Sequence, residues 1–223
     1  MKVFKLMLVA AALAVTAPAV AQDLSFGVKA GLNFSKFTVE KDEDGDDYSS
    51  FQKSKPGISL GVYADYTLSD LLAIESGLQF DQKGSKAEGN DGGSWSEKYT
   101  INYFTIPINA RVNLAMGDNN LYFLAGPTFG IGLSGKNKYE VNGRSDETKI
   151  KFEKPKLDED GDPIEEGVFS KRMNVGLLLG AGYELSNNIG ARLTYEIGLS
   201  NLSQHSKGEV KTGVLGIAVT YKF

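Results

Sequence analysis

Two acidic stretches contain the residues of this sequence best suited to hold a metal ion. Residues 42–46 and 158–162 both read Asp-Glu-Asp-Gly-Asp. Carboxylate oxygens are the ligands that Ca²⁺ prefers, and it takes about six to eight of them. An EF-hand loop is excluded, because its sixth position, which requires glycine, would be Asp47 or Pro163, and its twelfth, which requires glutamate, would be Lys53 or Phe169. We therefore expect solvated acidic loops and no bound cofactor, with a divalent cation as the alternative. The candidate ligands are Asp42, Asp44, Asp46, Asp158, Asp160 and Asp162.

The single histidine, His205, is the only residue around which a hydrolytic triad could form. Ser203, Ser206 and Glu209 lie close to it in the sequence. A Ser–His–acid mechanism needs its three groups held in fixed geometry by a framework. Because these residues share one short segment, we expect a polar loop and no enzymatic activity. The sequence has no cysteine, which also excludes a thiol nucleophile and a cysteine-based zinc site.

A third set of charged residues lies inside otherwise apolar or small-residue segments, and its members are balanced in sign. They are Lys29, Asp65, Glu75, Asp81, Arg111, Arg172, Glu184, Arg192, Glu196 and Lys222. Charges buried in a protein must be paired. The set therefore predicts either a hydrogen-bonded plug or a narrow charged path for ions.

The elements that carry these charges are eight segments in which every second residue is apolar. This period of two is typical of β-strands with two unlike faces. The charges of the third set all fall on the second face, and no charged residue falls on the apolar face. The segments are Leu24–Ser35, Ile58–Leu68, Leu72–Lys83, Tyr103–Leu114, Leu121–Leu133, Arg172–Leu185, Ile189–Ser200 and Leu215–Phe223.

The composition of the second face predicts that it lines a narrow lumen. It is rich in glycine, which weakens an open, solvated strand face but suits a crowded small barrel. The apolar face then points to lipid, where a lysine or arginine at the midplane would cost about 2–4 kcal/mol. An eight-stranded barrel is only just wide enough for side chains, so the plug is favoured over the ion path. The expected pairs are Glu75 with Arg111, and Glu184 with Arg192.

The connections between the segments alternate between short and long. Residues 69–71, 115–120 and 186–188 are short links, whereas 37–55, 84–98, 134–171 and 201–210 are longer. This alternation predicts an all-β, eight-stranded, antiparallel up-and-down transmembrane barrel with short periplasmic turns and longer outer loops. Residues 148–153 also alternate, and they predict that strands five and six continue above the membrane as a hairpin.

The N-terminus has the features of a cleaved signal peptide. Lys2 and Lys5 precede the apolar run 6–15, and Ala19-Val20-Ala21 follows. A basic start, a short apolar core and an A-x-A end are typical of secretory signals. We expect cleavage of residues 1–21 and a single barrel domain over 22–223. The formal net charge of −4 argues against a nucleic-acid partner.

The mature chain resembles the outer-membrane β-barrel family common in Bacteroidetes, described as porin-family or PorT-like. The resembling pieces are residues 26–33, 103–108, 126–127, 180–185 and 195–201. The resemblance implies the outer membrane of a Gram-negative bacterium, with membrane lipid and lipopolysaccharide as surroundings. The end of the chain, with Tyr221 and Phe223, resembles the signal recognised by barrel-assembly machinery.

The expected function is that of a structural or surface-interaction protein acting through its outer loops. A narrow pore for ions or small solutes is the alternative, and a lipid-modifying enzyme comes third. Divalent ions could also link the acidic loops to lipopolysaccharide phosphates. The sequence does not identify a protein partner at the surface or in the periplasm.

Overall fold

The computed structural model describes residues 23–39, 52–89, 94–153, 168–203 and 209–223. Across these ranges, no helix is long and apolar enough to cross a bilayer. The regular structure consists of β-strands. Their bounds are β1 Leu24–Val39, β2 Gln52–Thr67, β3 Leu72–Gly89, β4 Trp95–Met116, β5 Asn119–Val141, β6 Arg144–Lys151, β7 Val168–Phe169, β8 Met173–Glu184, β9 Ile189–Gly198 and β10 Val210–Lys222.

Eight of these strands form a closed antiparallel ring in the order β1, β2, β3, β4, β5, β8, β9 and β10. Pairing of β1 with β10 and of β4 with β5 leaves none of the eight with a free edge. The predicted eight-stranded up-and-down barrel is therefore confirmed. The two remaining strands lie outside the ring, because β6 pairs only with β5 and β7, and β7 runs parallel to β6.

The two faces of the wall are those predicted from the alternation. Every predicted lipid-facing side chain is exposed or half-buried, as for Leu32 (51%), Leu193 (51%) and Ile217 (52%). On the opposite face, Tyr103 and Tyr122 are fully buried. Successive side chains of a strand point to opposite faces, so the orientation of one residue fixes the orientation of the others in a regular strand.

The short connections lie at one end of the barrel, as predicted. The turns at 68–71 and 185–188 are closed by backbone hydrogen bonds from Leu68 N–H to the Leu72 carbonyl and from Leu185 N–H to the Ile189 carbonyl, both 2.8 Å. The turn at 117–118 uses Gly117 at a φ of 65°. This left-handed conformation favours glycine, which has no Cβ to clash.

At the opposite end, several predicted outer loops are partly strand, which corrects the predicted boundaries. Strands β2 to β5 continue past the last apolar residues, since a hydrogen-bonded ladder needs no lipid to persist. Residues 52–55, 82–89, 95–102, 134–141 and 144–151 form a five-stranded extension that we term the outer sheet.

The predicted hairpin above the membrane exists, but its second strand is different. β5 turns at Asn142-Gly143, with φ values of 48° and 81°, and pairs with β6. Two residues with positive φ are typical of the tight turn that Asn-Gly forms in hairpins. The strand predicted as number six is β8, which begins only at Met173.

Candidate functional site: a charged and occluded lumen

An ion pair crosses the middle of the barrel. Glu75 on β3 accepts two hydrogen bonds from the Arg192 guanidinium on β9, at 2.7 and 2.6 Å. β3 and β9 are four strands apart in a ring of eight, so the pair spans the lumen. Glu75 is 0% exposed and Arg192 is 4% exposed. Two parallel hydrogen bonds between a guanidinium and a carboxylate are among the strongest hydrogen bonds in proteins.

A second layer of charges lies toward the short turns, with Arg111 at its centre. Its guanidinium is 2.6 Å from Asp65 Oδ2 and 3.3 Å from Glu184 Oε2. Lys222 Nζ lies 3.6 Å from Asp65 Oδ2 and 3.9 Å from Glu184 Oε1, and partly faces solvent. Arg111 Nε also donates to Asn113 Oδ1 at 2.8 Å. Side chains from four strands thus close this end of the lumen.

A third layer lies on the other side of the central pair. Lys83 on β3 donates to Glu196 on β9 at 2.6 Å, and both side chains are almost completely buried. Because these are again opposite strands, this pair also spans the lumen. In the same layer Asp81 accepts hydrogen bonds from Ser59 Oγ at 2.7 Å and Gln79 Nε2 at 2.6 Å.

Tyrosine rings fill the space between the charged layers. The Tyr122 ring lies 3.9 Å from the Arg111 guanidinium carbon and 5.3 Å from that of Arg192, measured to the ring centroid. The ring packs directly against Gly182, where an added Cβ would collide with it. Glycine on the lumen face therefore makes room for an aromatic ring, as the composition of that face predicts.

An apolar cap covers the lumen toward the outer sheet. Its side chains come from three strands and from residue 202, each at most 7% exposed. The members are Phe37, Ile101, Tyr103, Ile150 and Leu202. A cap of this kind excludes water, so hydrated ions meet an apolar barrier above the charged layers.

The lumen contains a small cavity. One cavity of about 40 Å³ lies between Lys29, Asp81, Asn109 and Glu196. A single water needs roughly 10–15 Å³ of such volume, so only a few waters fit. Among the described residues, Lys29 has no carboxylate within ion-pair distance, and it borders this cavity.

The structure brings together all of the predicted lumen charges except Arg172. That residue is exposed at the start of β8, and its guanidinium carbon lies 5.4 Å from the centroid of the Phe152 ring. Its place in the balanced set is taken by Lys83, which the prediction omitted. The alternation through β3 puts Lys83 on the same face as Glu75, so the signal was present in the sequence.

The predicted partners of the charges need a correction. Glu184 is not paired with Arg192, because the register places Gly182, not Glu184, opposite Arg192. Arg111 does form the predicted ion pair with Glu75, at 3.7 Å, although its shortest contact is with Asp65. Pairs across the lumen prevail over those between neighbouring strands because the barrel is narrow enough for long side chains to cross.

The other candidate sites are only partly covered. The acidic stretches and His205 with Ser206 fall outside the described residues. Glu209 forms an ion pair with Lys211 at 2.7 Å. No group of three or more potential metal ligands occurs within the described part of the chain. At the other end, the Tyr221 and Phe223 rings pack edge to face on the lipid side, with centroids 5.4 Å apart.

Comparison with known proteins identifies the family of this barrel. The model of the outer membrane protein β-barrel domain matches residues 20–204. The chain belongs to this outer-membrane β-barrel family. No curated protein matches the chain significantly.

Solved structures similar to this family member include three small outer-membrane proteins. The attachment invasion locus protein Ail of Yersinia pestis is 17% identical, with a TM-score of 0.43, and covers 91% of this chain and 100% of its own. Neisserial surface protein A is 15% identical, with a TM-score of 0.44 and coverages of 91% and 100%. OprG of Pseudomonas aeruginosa is 12% identical, with a TM-score of 0.46 and coverages of 89% and 95%.

Proposed function

We propose that this outer-membrane β-barrel protein is a structural and surface-interaction protein whose lumen is permanently closed. Its role is to present the outer sheet and the outer connections at the cell surface. The observation that carries this proposal is the pair of salt bridges that cross the lumen, Glu75–Arg192 and Lys83–Glu196.

Ion conduction is opposed by three features acting in series. Two ion pairs cross the lumen, an apolar cap lies above them, and the cavity between them holds only a few waters. The lumen charges number five positive and five negative once Lys83 is included, so they compensate one another without a mobile counterion. Moving an ion through would require breaking buried pairs that have no solvent to replace them.

Single-channel recording in planar bilayers tests this proposal. The folded barrel should insert without producing stable current steps, whereas a general porin added to the same bilayer should give clear steps. Insertion is verified by recovering the folded, heat-modifiable protein from the bilayer lipid. Stable, sizeable steps from this protein would refute the closed lumen.

A narrow pore is the second candidate, and one observation favours it. Lys29 borders the lumen cavity without a carboxylate partner among the described residues, as a residue on an ion path would. The same recording decides between the two functions. We do not propose an enzymatic activity.

The family assignment also supports proposals about export and about the surroundings of the protein in the cell envelope. We propose that residues 1–21 are removed on export and that 22–223 is the mature barrel. Its proposed surroundings are outer-membrane lipid and lipopolysaccharide, and barrel-assembly machinery is its proposed partner during insertion. The finer PorT-like relationship is likewise a proposal, supported by the short pieces of similar sequence.

A further inference from the structure

The outward face of the outer sheet continues the lipid-facing wall of the barrel. On β3 and β4 the same alternation runs upward without interruption from Phe80 and Phe104. On β5 a register shift lies opposite Asn102 and Tyr103, after which the even-numbered residues face outward. The inner face of the sheet packs on the apolar cap, so the outward face lies over the surrounding leaflet.

This outward face carries a row of lysines in direct register. Lys53 pairs with Lys86, Lys86 with Lys98, and Lys98 with Lys138 across four strands. One step closer to the membrane, Lys136 pairs with Lys149. Like charges directly opposite each other destabilise a sheet. The lysine face is defined here as Lys53, Lys55, Lys86, Lys98, Lys136, Lys138 and Lys149.

Only part of this charge is neutralised within the protein. Glu88 bonds to both Lys53 and Lys86, and these contacts lower the pKa of its carboxyl to about 2, so that it stays ionised. Glu147 and Glu140 lie 3.1 Å from Lys136 and 3.8 Å from Lys138, respectively.

Three lysines of the face lack such a partner. Within the described ranges, Lys55, Lys98 and Lys149 have no carboxylate at ion-pair distance. Burial, followed by the charges of Lys136 and Lys98, lowers the pKa of Lys55. The face therefore carries an excess of positive charge that an external anion would stabilise.

The height of the lysine face matches the headgroup region. Ile58 on β2 and Leu133 on β5 are the last large apolar residues that face outward, at 45% and 51% exposure. Lys55 and Lys136 follow three residues further along, which is about 10 Å of extended strand. Phosphate groups of an outer leaflet lie immediately above its hydrocarbon, so these ammonium groups are level with them.

We propose that the lysine face binds the phosphate groups of lipopolysaccharide in the surrounding leaflet. This inference rests on the proposed outer-membrane setting and names the surface that contacts the lipid. The contact is direct, from lysine ammonium to phosphate, and needs no bridging cation. Anionic membrane surfaces attract clustered lysines with a gain of about fivefold in affinity per residue.

Native mass spectrometry of the folded barrel in detergent with EDTA tests the proposal, with lipid A as the probe. The wild-type protein should bind phosphorylated lipid A in preference to lipid A without phosphates. The Lys98→Gln/Lys149→Gln variant should bind it about 30-fold more weakly. The matched control, Lys171→Gln/Lys211→Gln, removes the same charge from the outer end of β8 and β10 and should bind like the wild type.

Three outcomes would overturn the proposal. Equal affinities of the wild type and Lys98→Gln/Lys149→Gln would remove the lysines from the contact. Loss of wild-type binding in EDTA would assign it to divalent bridges through acidic residues. If Lys98→Gln/Lys149→Gln bound lipid A like the wild type and lost only its binding of a soluble sulfated polysaccharide, the lysine face would instead bind a ligand outside the membrane.

The fold and the lumen are monitored separately from lipid binding. Both variants should keep the mobility shift on boiling, because Lys98 and Lys149 make no ion pair among the described residues, and the Lys211–Glu209 pair that the control breaks is partly exposed and contributes little to stability. A failure of lipid A binding with a silent bilayer recording would overturn this inference alone. Current steps with intact lipid A binding would overturn only the closed lumen.

Discussion

Replacing Arg192 with methionine should lower the free energy of unfolding by about 3–5 kcal/mol. The change removes the partner of Glu75 and leaves that carboxylate at 0% exposure without its two shortest hydrogen bonds. An uncompensated buried charge is the most costly result of breaking such a pair. Denaturant titration of the barrel in lipid vesicles, followed by the folded band on an unboiled gel, measures the loss.

Two control variants show whether the loss of stability comes from the Glu75–Arg192 ion pair itself. Arg192→Met/Glu75→Leu removes both charges and should regain most of the lost stability, since Arg111 keeps Asp65 and Glu184. Lys136→Met breaks an ion pair whose side chains are 54% and 52% exposed, and should cost under about 1 kcal/mol. A double variant as unstable as Arg192→Met alone would contradict the cross-lumen pairing.

Leu193→Arg should destabilise the barrel in vesicles by about 2–4 kcal/mol. Leu193 is central on β9, faces outward at 51% exposure and pairs with Ala181 and Ile217 on the adjacent strands. A charge at this depth has only hydrocarbon around it. The measurement is the same vesicle titration, with the folded fraction read from the gel.

The matched control uses a position on the same face near the membrane surface. Leu199 follows β9 at its outer end and is 60% exposed. Leu199→Arg should cost only about 0–1 kcal/mol, because the side chain reaches water. Equal costs at both positions would show that the face does not cross hydrocarbon.

The alternation predicted the wall of the barrel because it is a local property. In β9, Leu193 and Arg192 are adjacent, and the period of two alone sends one to lipid and the other to the lumen. The strand count, the short turns and the predicted glycine-rich lumen follow from the same pattern. A lipid-facing residue needs no specific partner, so its neighbours did not have to be known.

The partners inside the lumen were not predictable from neighbouring strands. Glu75 and Arg192 are far apart in the sequence and meet only because β3 and β9 lie opposite each other in the ring. That geometry depends on ring closure, which no local pattern specifies. Lys83 differs, since its parity within β3 already placed it on the lumen face.

Apart from the hairpin of β5 and β6, the outer sheet was missed for another reason. Its strands have no apolar period, because water lies on one face and a small cap on the other. The register shift opposite Asn102 and Tyr103 also reverses the parity of β5, so that Leu133 and Lys136 both face outward. The row of lysines becomes visible only once four strands are aligned.

Fluorescence quenching by lipids brominated in the middle of their acyl chains tests most directly whether the apolar face contacts hydrocarbon. The chain has one tryptophan, Trp95, which begins β4 at the far end of the outer sheet. In vesicles, Leu193→Trp/Trp95→Phe should be strongly quenched and the wild type nearly unquenched. Similar quenching of the two proteins, or none in the variant, would contradict a barrel whose apolar face meets lipid.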